Sequence, residues 1–259
     1  MDPIAINLFG IEIMWYGILI AAGALVAILF SYFILKKEKN FNEDYFLNGI
    51  IITVIVGFIG ARLWFVLFNL GDFHNLWDVI NTRNGGLAFH GGIIFGVLAF
   101  VLYARRKKID ILRYLDVISV GVLFAQGLGR WGNFLNQEAH GGPVSESFIS
   151  HFPTFIQNGM LINGVYYHPT FLYESINDLI WFVVLAFLIL RKVNFKKGTF
   201  LALAIFGNSL GRLFIEGLRT DSLMLGPLRV AQIVAFTGII LSLLYLVYLY
   251  LIMNKHRKN

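Results

Sequence analysis

Seven apolar runs, each close to the length a helix needs to cross a bilayer, leave this chain few folds to choose from. They cover residues 14–35, 47–70, 87–104, 114–132, 171–190, 198–217 and 230–253. About 20 mainly apolar residues span the hydrocarbon layer as a helix. Lipid cannot hydrogen-bond a bare backbone, so helices are the form such runs take. With 58% of its 259 residues hydrophobic and only 14% charged, the chain is not an ordinary soluble domain. The expected fold is an all-α polytopic membrane protein with seven transmembrane helices, forming a single integral membrane domain over 1–259.

The basic residues orient that array. Lys36, Lys37 and Lys39, then Arg105, Arg106, Lys107, Lys108 and Arg113, then Arg191, Lys192, Lys196 and Lys197, and finally Lys255, Arg257 and Lys258 make fifteen of the 21 Lys and Arg. All four clusters fall on one side of a seven-helix arrangement, and the opposite loops hold only Arg83, Arg219 and Arg229. Basic loops stay in the cytoplasm, so the N-terminus is expected outside and the C-terminus in the cytoplasm. The net charge of +6 is thus a topology signal, and no nucleic-acid partner is expected. The opening MDPIAINLFGIEIMW lacks a positive n-region and a small-residue cleavage site, so it is not read as a signal peptide. There is no cysteine, which removes disulfides, thiolate metal sites and a cysteine nucleophile. No metal motif is legible and no cofactor is expected.

Three arginines, Arg62, Arg130 and Arg212, stand within runs or at their ends. Under this topology each lies in the outer half, as do Tyr16, His90, and Tyr173 with Glu174. Ionisable groups at membrane depth are costly, so they pair or line a watery cavity. The densest stretch is GRWGNFLNQEAHG at 129–141, where Arg130, Asn133, Asn136 and Glu138 arrive among three glycines. Arg130 and Asn133 share a helical face that Gln126 extends one turn inward. A helix end meeting headgroups explains one arginine but not four polar groups together.

Other polar groups have plainer accounts beside the functional one. An aromatic belt explains Trp15 and Tyr16 as well as a site does. GFIGAR sets Gly57, Gly60 and Ala61 beside Arg62, so helices can approach closely and the arginine needs a buried anion or carbonyl. In GGLAFHGG, four glycines surround His90 and let a ligand reach backbone, although a lone interfacial histidine is more often a headgroup contact. Asn208, Arg212, Glu216 and Arg219 form one polar stripe, with Gly207 and Gly211 a GxxxG pair. Glu216 can pair with either arginine, and a helix-locking ion pair is the bland reading. The 71–84 loop carries no recognisable chemistry. Residues 136–168, without Lys or Arg, form an expected external cap between the fourth and fifth helices, with hairpin turns at Asn158–Gly159 and Asn163–Gly164. Pro169 can open the fifth helix. There Tyr173/Asn177 and Glu174/Asp178 are i, i+4 pairs, with Asn177 and Asp178 structural.

Buried arginines without a matching set of buried carboxylates point to an anion cavity. The planar guanidinium fork suits phosphate, and at outer-leaflet depth that anion is a phospholipid headgroup. With no Ser-His-Asp arrangement, thiol or metal cluster legible, a reaction here would join two bound substrates directly.

The 129–141 stretch is similar to the signature of the bacterial prolipoprotein diacylglyceryl transferases, G-R-x-G-N-F-x-N-x-E-x-x-G. Gly129, Arg130, Gly132, Asn133, Phe134, Asn136, Glu138 and Gly141 fill every fixed position. WYG at 15–17, FHGG at 89–92, HPTFLYE at 168–174 and the Arg212, Glu216, Arg219 spacing resemble the family's other recurring pieces, in the family's order. The resemblance implies transfer of the sn-1,2-diacylglyceryl group from phosphatidylglycerol to the lipobox cysteine of a prolipoprotein signal peptide, releasing glycerol phosphate. It implies catalytic roles for His90, Arg130, Arg212 and Glu138, and substrate-binding roles for Tyr16, Asn133, Asn136, Gly141 and Glu216. It also places the enzyme among membrane lipids in the bacterial plasma membrane, its site facing the outer leaflet. His90 is the expected base for the thiol and Glu138 its rival.

Other classes fit less of the sequence. A transporter or flippase of an anionic lipid or solute would set its charges near the midplane, on broken helices in repeated halves, and no repeat is legible. A seven-helix receptor leaves GRWGNFLNQE without a purpose. An intramembrane protease would have to use Glu138 or Glu174.

Overall fold

The computed structural model describes residues 1–82 and 85–252. Arg83, the end of the seventh run, and the C-terminal cluster Lys255, Arg257 and Lys258 lie outside the described residues. The chain opens with an antiparallel hairpin, β1 (Ile4–Leu8) and β2 (Ile11–Met14), which continues directly into α1 (Trp15–Leu35). After it come α2 (Glu43–Phe68), α3 (Leu76–Ile80), α4 (Phe89–Arg106) and α5 (Ile111–Leu135). The 136–168 segment holds β3 (Pro143–Val144), α6 (Glu146–Ile149), α7 (Thr154–Met160), β4 (Leu161–Ile162) and β5 (Val165–Tyr167). Then follow α8 (Thr170–Leu190), α9 (Thr199–Ile215), the hairpin β6 (Met224–Leu225) and β7 (Leu228–Arg229), and α10 (Val230–Val247).

Among the described residues, six helices are long and apolar enough to cross a membrane: Trp15–Leu35, Glu43–Phe68, Ile111–Leu135, Thr170–Leu190, Thr199–Leu218 and Val230–Leu251. The expected third crossing, α4, has 18 residues and is not among them. His90 and two glycines at one end and Arg105 with Arg106 at the other dilute its apolar stretch. The structure is therefore mostly helical and polytopic, with short hairpins that an all-α expectation omits.

The chain divides into two compact units, Met1–Ser31 with Leu115–Asn259, and Tyr32–Tyr114. In the second, α2 starts earlier than the apolar run does. Asn42 accepts a bond from Tyr45 N at 2.9 Å, and Glu43 and Asp44 suit the positive end of the helix dipole. α2 and α4 meet at small residues: a Cβ on Gly57 would lie 3.1 Å from Gly92 O and 3.6 Å from Gly96 Cα. The opposite side of α2 leaves Ile51, Val54, Ile55 and Phe58 more than half exposed, a face suited to lipid.

In the first unit, Asp116 of α5 is buried and caps α9, accepting from Gly198 N at 2.7 Å and Leu201 N at 2.9 Å. The 136–168 segment is bound to the helix ends by an apolar cluster of Phe134, Ile149, Ile156, Met160 and Phe171. The Phe134 and Phe171 rings stack with centroids 4.4 Å apart. β5 lies between β3 and β4. Asn163–Gly164 does form the two-residue turn of a hairpin, with φ of +50° and +80°. Asn158–Gly159 does not: it lies inside α7, where Gly159 packs so closely on the Phe134 ring that a side chain would overlap it. Packing overrides the local turn signal there.

Candidate active site

Glu174, in the second turn of α8 and 5% exposed, is the centre of the buried charge in the first unit. Arg130 Nε of α5 lies 2.6 Å from Glu174 Oε2, and Arg212 Nη1 of α9 lies 2.5 Å from Oε1. Arg219 Nη1 approaches Oε1 at 3.7 Å. One carboxylate thus gathers three guanidinium groups. Glu216 supplies a second: its Oε2 is 2.7 Å from Arg212 Nη2 and 4.0 Å from Arg219 Nε. The Arg212 approach falls outside hydrogen-bond geometry, so it is a charge contact.

Beyond α9 the chain is tied down in turn. Arg219 forks onto Asp221 at 2.9 and 2.7 Å. Burial alone would raise the Asp221 carboxyl, but the Arg219 fork holds it below the usual carboxylate range. Arg229 donates to Glu216 O, to Arg219 O at 2.8 Å and to Ser222 Oγ at 3.0 Å. The stripe expected along one helix is broken at Ile215, where α9 ends, and Arg219 stands in extended backbone.

This arrangement corrects one expectation. The arginines do not lack buried carboxylates; Glu174 and Glu216 match Arg130 and Arg212. Sequence reasoning noted Glu174 but gave it no role, because its three partners lie far along the chain. The need of any buried arginine for a counter-charge was the available signal. Arg130 keeps a resource that Arg212 does not. Among the described residues only its Nε has a partner, and its two terminal nitrogens are unengaged on a side chain 26% exposed. A cavity of about 10 Å³, room for roughly one water, is lined by Arg130, Glu174, Asn177, Asp178, Asn208 and Arg212. Asp178 Oδ1 accepts from Asn208 at 2.9 Å and Asn177 at 3.2 Å. Asn177 also donates to Gly207 O at 3.2 Å, a helix-to-helix tie in place of an i, i+4 bond.

The rest of the signature builds the corner beyond α5. Asn133 and Asn136 both donate to Glu138 Oε1, at 2.9 and 3.2 Å. Asn136 Oδ1 is buried and has no protein partner among the described residues. Gly132 lies against the Tyr16 ring with no room for a side chain. Gly141 N donates to His168 O at 3.0 Å, and a Cβ on Gly141 would sit 2.5 Å from His168 Cβ and 3.0 Å from Leu218 O. Gly142 N reaches Leu218 O, also at 3.0 Å, so this short stretch ties the end of α5 to the start of α8 and the end of α9. Thr170 Oγ1 holds Ala139 O at 2.8 Å, beside the left-handed φ of +57° at Ala139. His90 belongs to the other unit, exposed in the first turn of α4.

Fold and site define a polytopic helical membrane protein with a buried guanidinium–carboxylate cluster. The sequence model of the prolipoprotein diacylglyceryl transferase family matches residues 3–248, and the chain belongs to that family. Phosphatidylglycerol–prolipoprotein diacylglyceryl transferase 1 of Clostridium perfringens (strain 13 / Type A) is 47% identical over 259 residues, covering 100% of this chain and 98% of its own. Phosphatidylglycerol–prolipoprotein diacylglyceryl transferases of Clostridium kluyveri and Clostridium botulinum are 49% and 48% identical, over 96% and 100% of this chain and 97% and 100% of theirs.

Proposed function

We propose that this chain transfers the sn-1,2-diacylglyceryl group of phosphatidylglycerol to the lipobox cysteine thiol of prolipoproteins, releasing glycerol phosphate, the first step of lipoprotein maturation. The observation that carries this reading is near-half identity over the full length with transferases of that name, with every fixed signature position retained. In the reaction the thiol sulfur attacks a glycerol carbon, and the bond from that carbon to a phosphate oxygen breaks. The leaving phosphate monoester keeps the electron pair as a second negative charge. With a second pKa of about 6 it departs unprotonated, so no general acid is needed.

The two unengaged nitrogens of Arg130 suit the phosphate oxygens bidentately. Glu174 and Glu216 hold Arg212 from two sides and fix its direction. Cations aimed at the charge that develops on the leaving phosphate lower the barrier more than they stabilise the bound lipid. A free thiol, with a pKa of about 8.5, is mostly protonated at neutral pH and needs a base; His90 takes that proton. Glu138, already accepting two amide bonds, orients Asn133 and Asn136 toward substrate, with Tyr16 and Gly141 shaping the walls.

In this reading the protein acts as one domain in the plasma membrane, crossing seven times with the N-terminus outside, the C-terminus cytoplasmic, 136–168 as an external cap, and the site toward the outer leaflet. The fifteen-to-three charge split supports that orientation. The 18 residues of α4, about 27 Å of helix against a layer of about 30 Å, support the seventh crossing.

Vesicles with labelled phosphatidylglycerol and a lipobox peptide test the function: diacylglyceryl peptide and glycerol phosphate should appear together, and their absence refutes it. His90→Gln should bind the lipid normally, transfer slowly, and recover in part at high pH as the thiol ionises unaided. An equal loss at every pH would limit His90 to orienting substrate.

A further inference from the structure

Arg62 looks in sequence like Arg130, an arginine late in an apolar run beside glycines, but its surroundings differ. It is 9% exposed in α2, and what faces it is backbone. Nε donates to Val79 O at 2.7 Å. Nη1 donates to Gly85 O at 3.1 Å and Gly86 O at 2.8 Å. Nη2 donates to Asp78 O at 2.6 Å and Asn81 O at 2.7 Å. A guanidinium has five N–H donors, so these five bonds use them all. The Phe73 and Phe65 rings flank the group at 5.2 and 5.9 Å. Such a saturated group has nothing left for a phosphate.

Its partners come from a segment in which sequence reasoning found no chemistry. Asp78 and Val79 end α3, whose terminal carbonyls need donors. Gly85 and Gly86 lie just ahead of α4. Gly86 has φ +81°, and a side chain there would overlap Arg62 Nη1. Ala88, the N-cap of α4, donates its N–H to the neighbouring Ala61 O at 3.0 Å. The end of α3 and the glycine pair are thus held by one side chain, and the N-cap of α4 by the carbonyl of the residue before Arg62.

We propose that Arg62 is a positioning residue for the transfer reaction: it gathers the carbonyls of Asp78, Val79, Asn81, Gly85 and Gly86 into a strap and so fixes the first turn of α4, which carries His90. This rests on the reading of His90 as the base. The strap is held by hydrogen bonds to a rigid planar fork, and a misplaced base slows chemistry while lipid binding through Arg130 is untouched.

The cysteine-free chain allows a direct test. A single cysteine at Leu76, 82% exposed, carries a nitroxide whose spectrum reports strap mobility independently of turnover. In Arg62→Gln, and separately in Gly86→Ala with Arg62 retained, the label becomes mobile. kcat in the vesicle assay falls at least about tenfold, while KM for phosphatidylglycerol stays within about threefold, the split expected where chemistry is impaired and lipid binding is not. Arg62→Gln combined with His90→Gln is no slower than His90→Gln alone. An unchanged label spectrum in both strap variants overturns the clamp. A mobile strap with parental kcat overturns the positioning role, and additive losses overturn the route through His90. Parental turnover in His90→Gln alone would instead sink the base reading, while the Arg62 spectra and kcat values still decide the strap.

Discussion

Replacing Glu174 by glutamine removes the charge on which three arginines converge while keeping the volume of the side chain. The close contacts at stake are Arg130 at 2.6 Å and Arg212 at 2.5 Å, around a carboxylate 5% exposed. Taking one partner from a buried pair costs about 3–5 kcal/mol. Both guanidinium groups are about a quarter exposed, 26% and 25%, so water compensates part of the loss. The low end, about 3 kcal/mol, is the working figure. Were it all to fall on the transition state, at about 1.4 kcal/mol per factor of ten, kcat/KM would drop roughly a hundredfold. Glu174→Asp keeps the charge on a shorter stem and should fall between glutamine and parent. The vesicle assay measures all three, and a thermal midpoint in detergent separates lost folding from lost catalysis. If Glu174→Gln folds like the parent and keeps kcat/KM within about threefold, a loss too small for two broken buried pairs, the carboxylate does not hold the arginines for the reaction.

Three further outcomes are expected. Single cysteines at Ser145 and Lys107 should label from outside and from the cytoplasm respectively; labelling of both from one face would end the proposed topology. Gly132→Ala should destabilise by about 1–3 kcal/mol through overpacking, because the new methyl overlaps the Tyr16 ring and lies 3.1 Å from Tyr16 Cα, whereas Gly142→Ala, with nothing within 4 Å, should match the parent in thermal midpoint. Burial lowers the His168 imidazole, which sits 3.4 Å from Tyr173 Oη and against the Phe148 ring. The unfolded chain therefore takes up the proton first, and this contribution is complete above about pH 6.5 and is lost as pH falls through the lower folded value. The thermal midpoint should drop on acidification below that point, and a His168→Gln variant that keeps the same acid slope would refute the assignment.

What could be read from the chain was whatever the chain states locally. The signature is contiguous, and its glycines mark real close approaches, Gly132 on Tyr16 and Gly141 on His168. The GxxxG pair of α9 meets Trp181 and Asn177 of α8, as small residues between helices should. Six of the seven expected runs coincide within a few residues with helices long and apolar enough to cross a membrane, and the cap at Asn42 accounts for the earlier start of α2. What escaped was set by partners far along the chain. The hub role of Glu174 needs α5, α8 and α9 at once, and Asp116 caps a helix that begins long after it. The β1–β2 hairpin is short, and the burial along β1 does not alternate, so no period-2 pattern separates it from the run it precedes.

The arginines show most sharply where sequence reading stops. Arg62 and Arg130 each follow glycines in an apolar run; Arg62 was expected to need a buried anion or a carbonyl, and Arg130 to pair or line a watery cavity. An acidic partner leaves a trace in the sequence, since only Asp and Glu can supply it. A carbonyl leaves none, since every residue has one. The difference that matters is therefore a count of donors. Arg62 spends five on the backbone and becomes part of the scaffold, whereas among the described residues Arg130 makes one close charge contact, Nε to Glu174, and its terminal nitrogens remain for another acceptor. A buried arginine can bind a ligand only to the extent that the fold leaves its fork unfilled, and by that measure Arg130 suits the proposed phosphate arm and Arg62 does not.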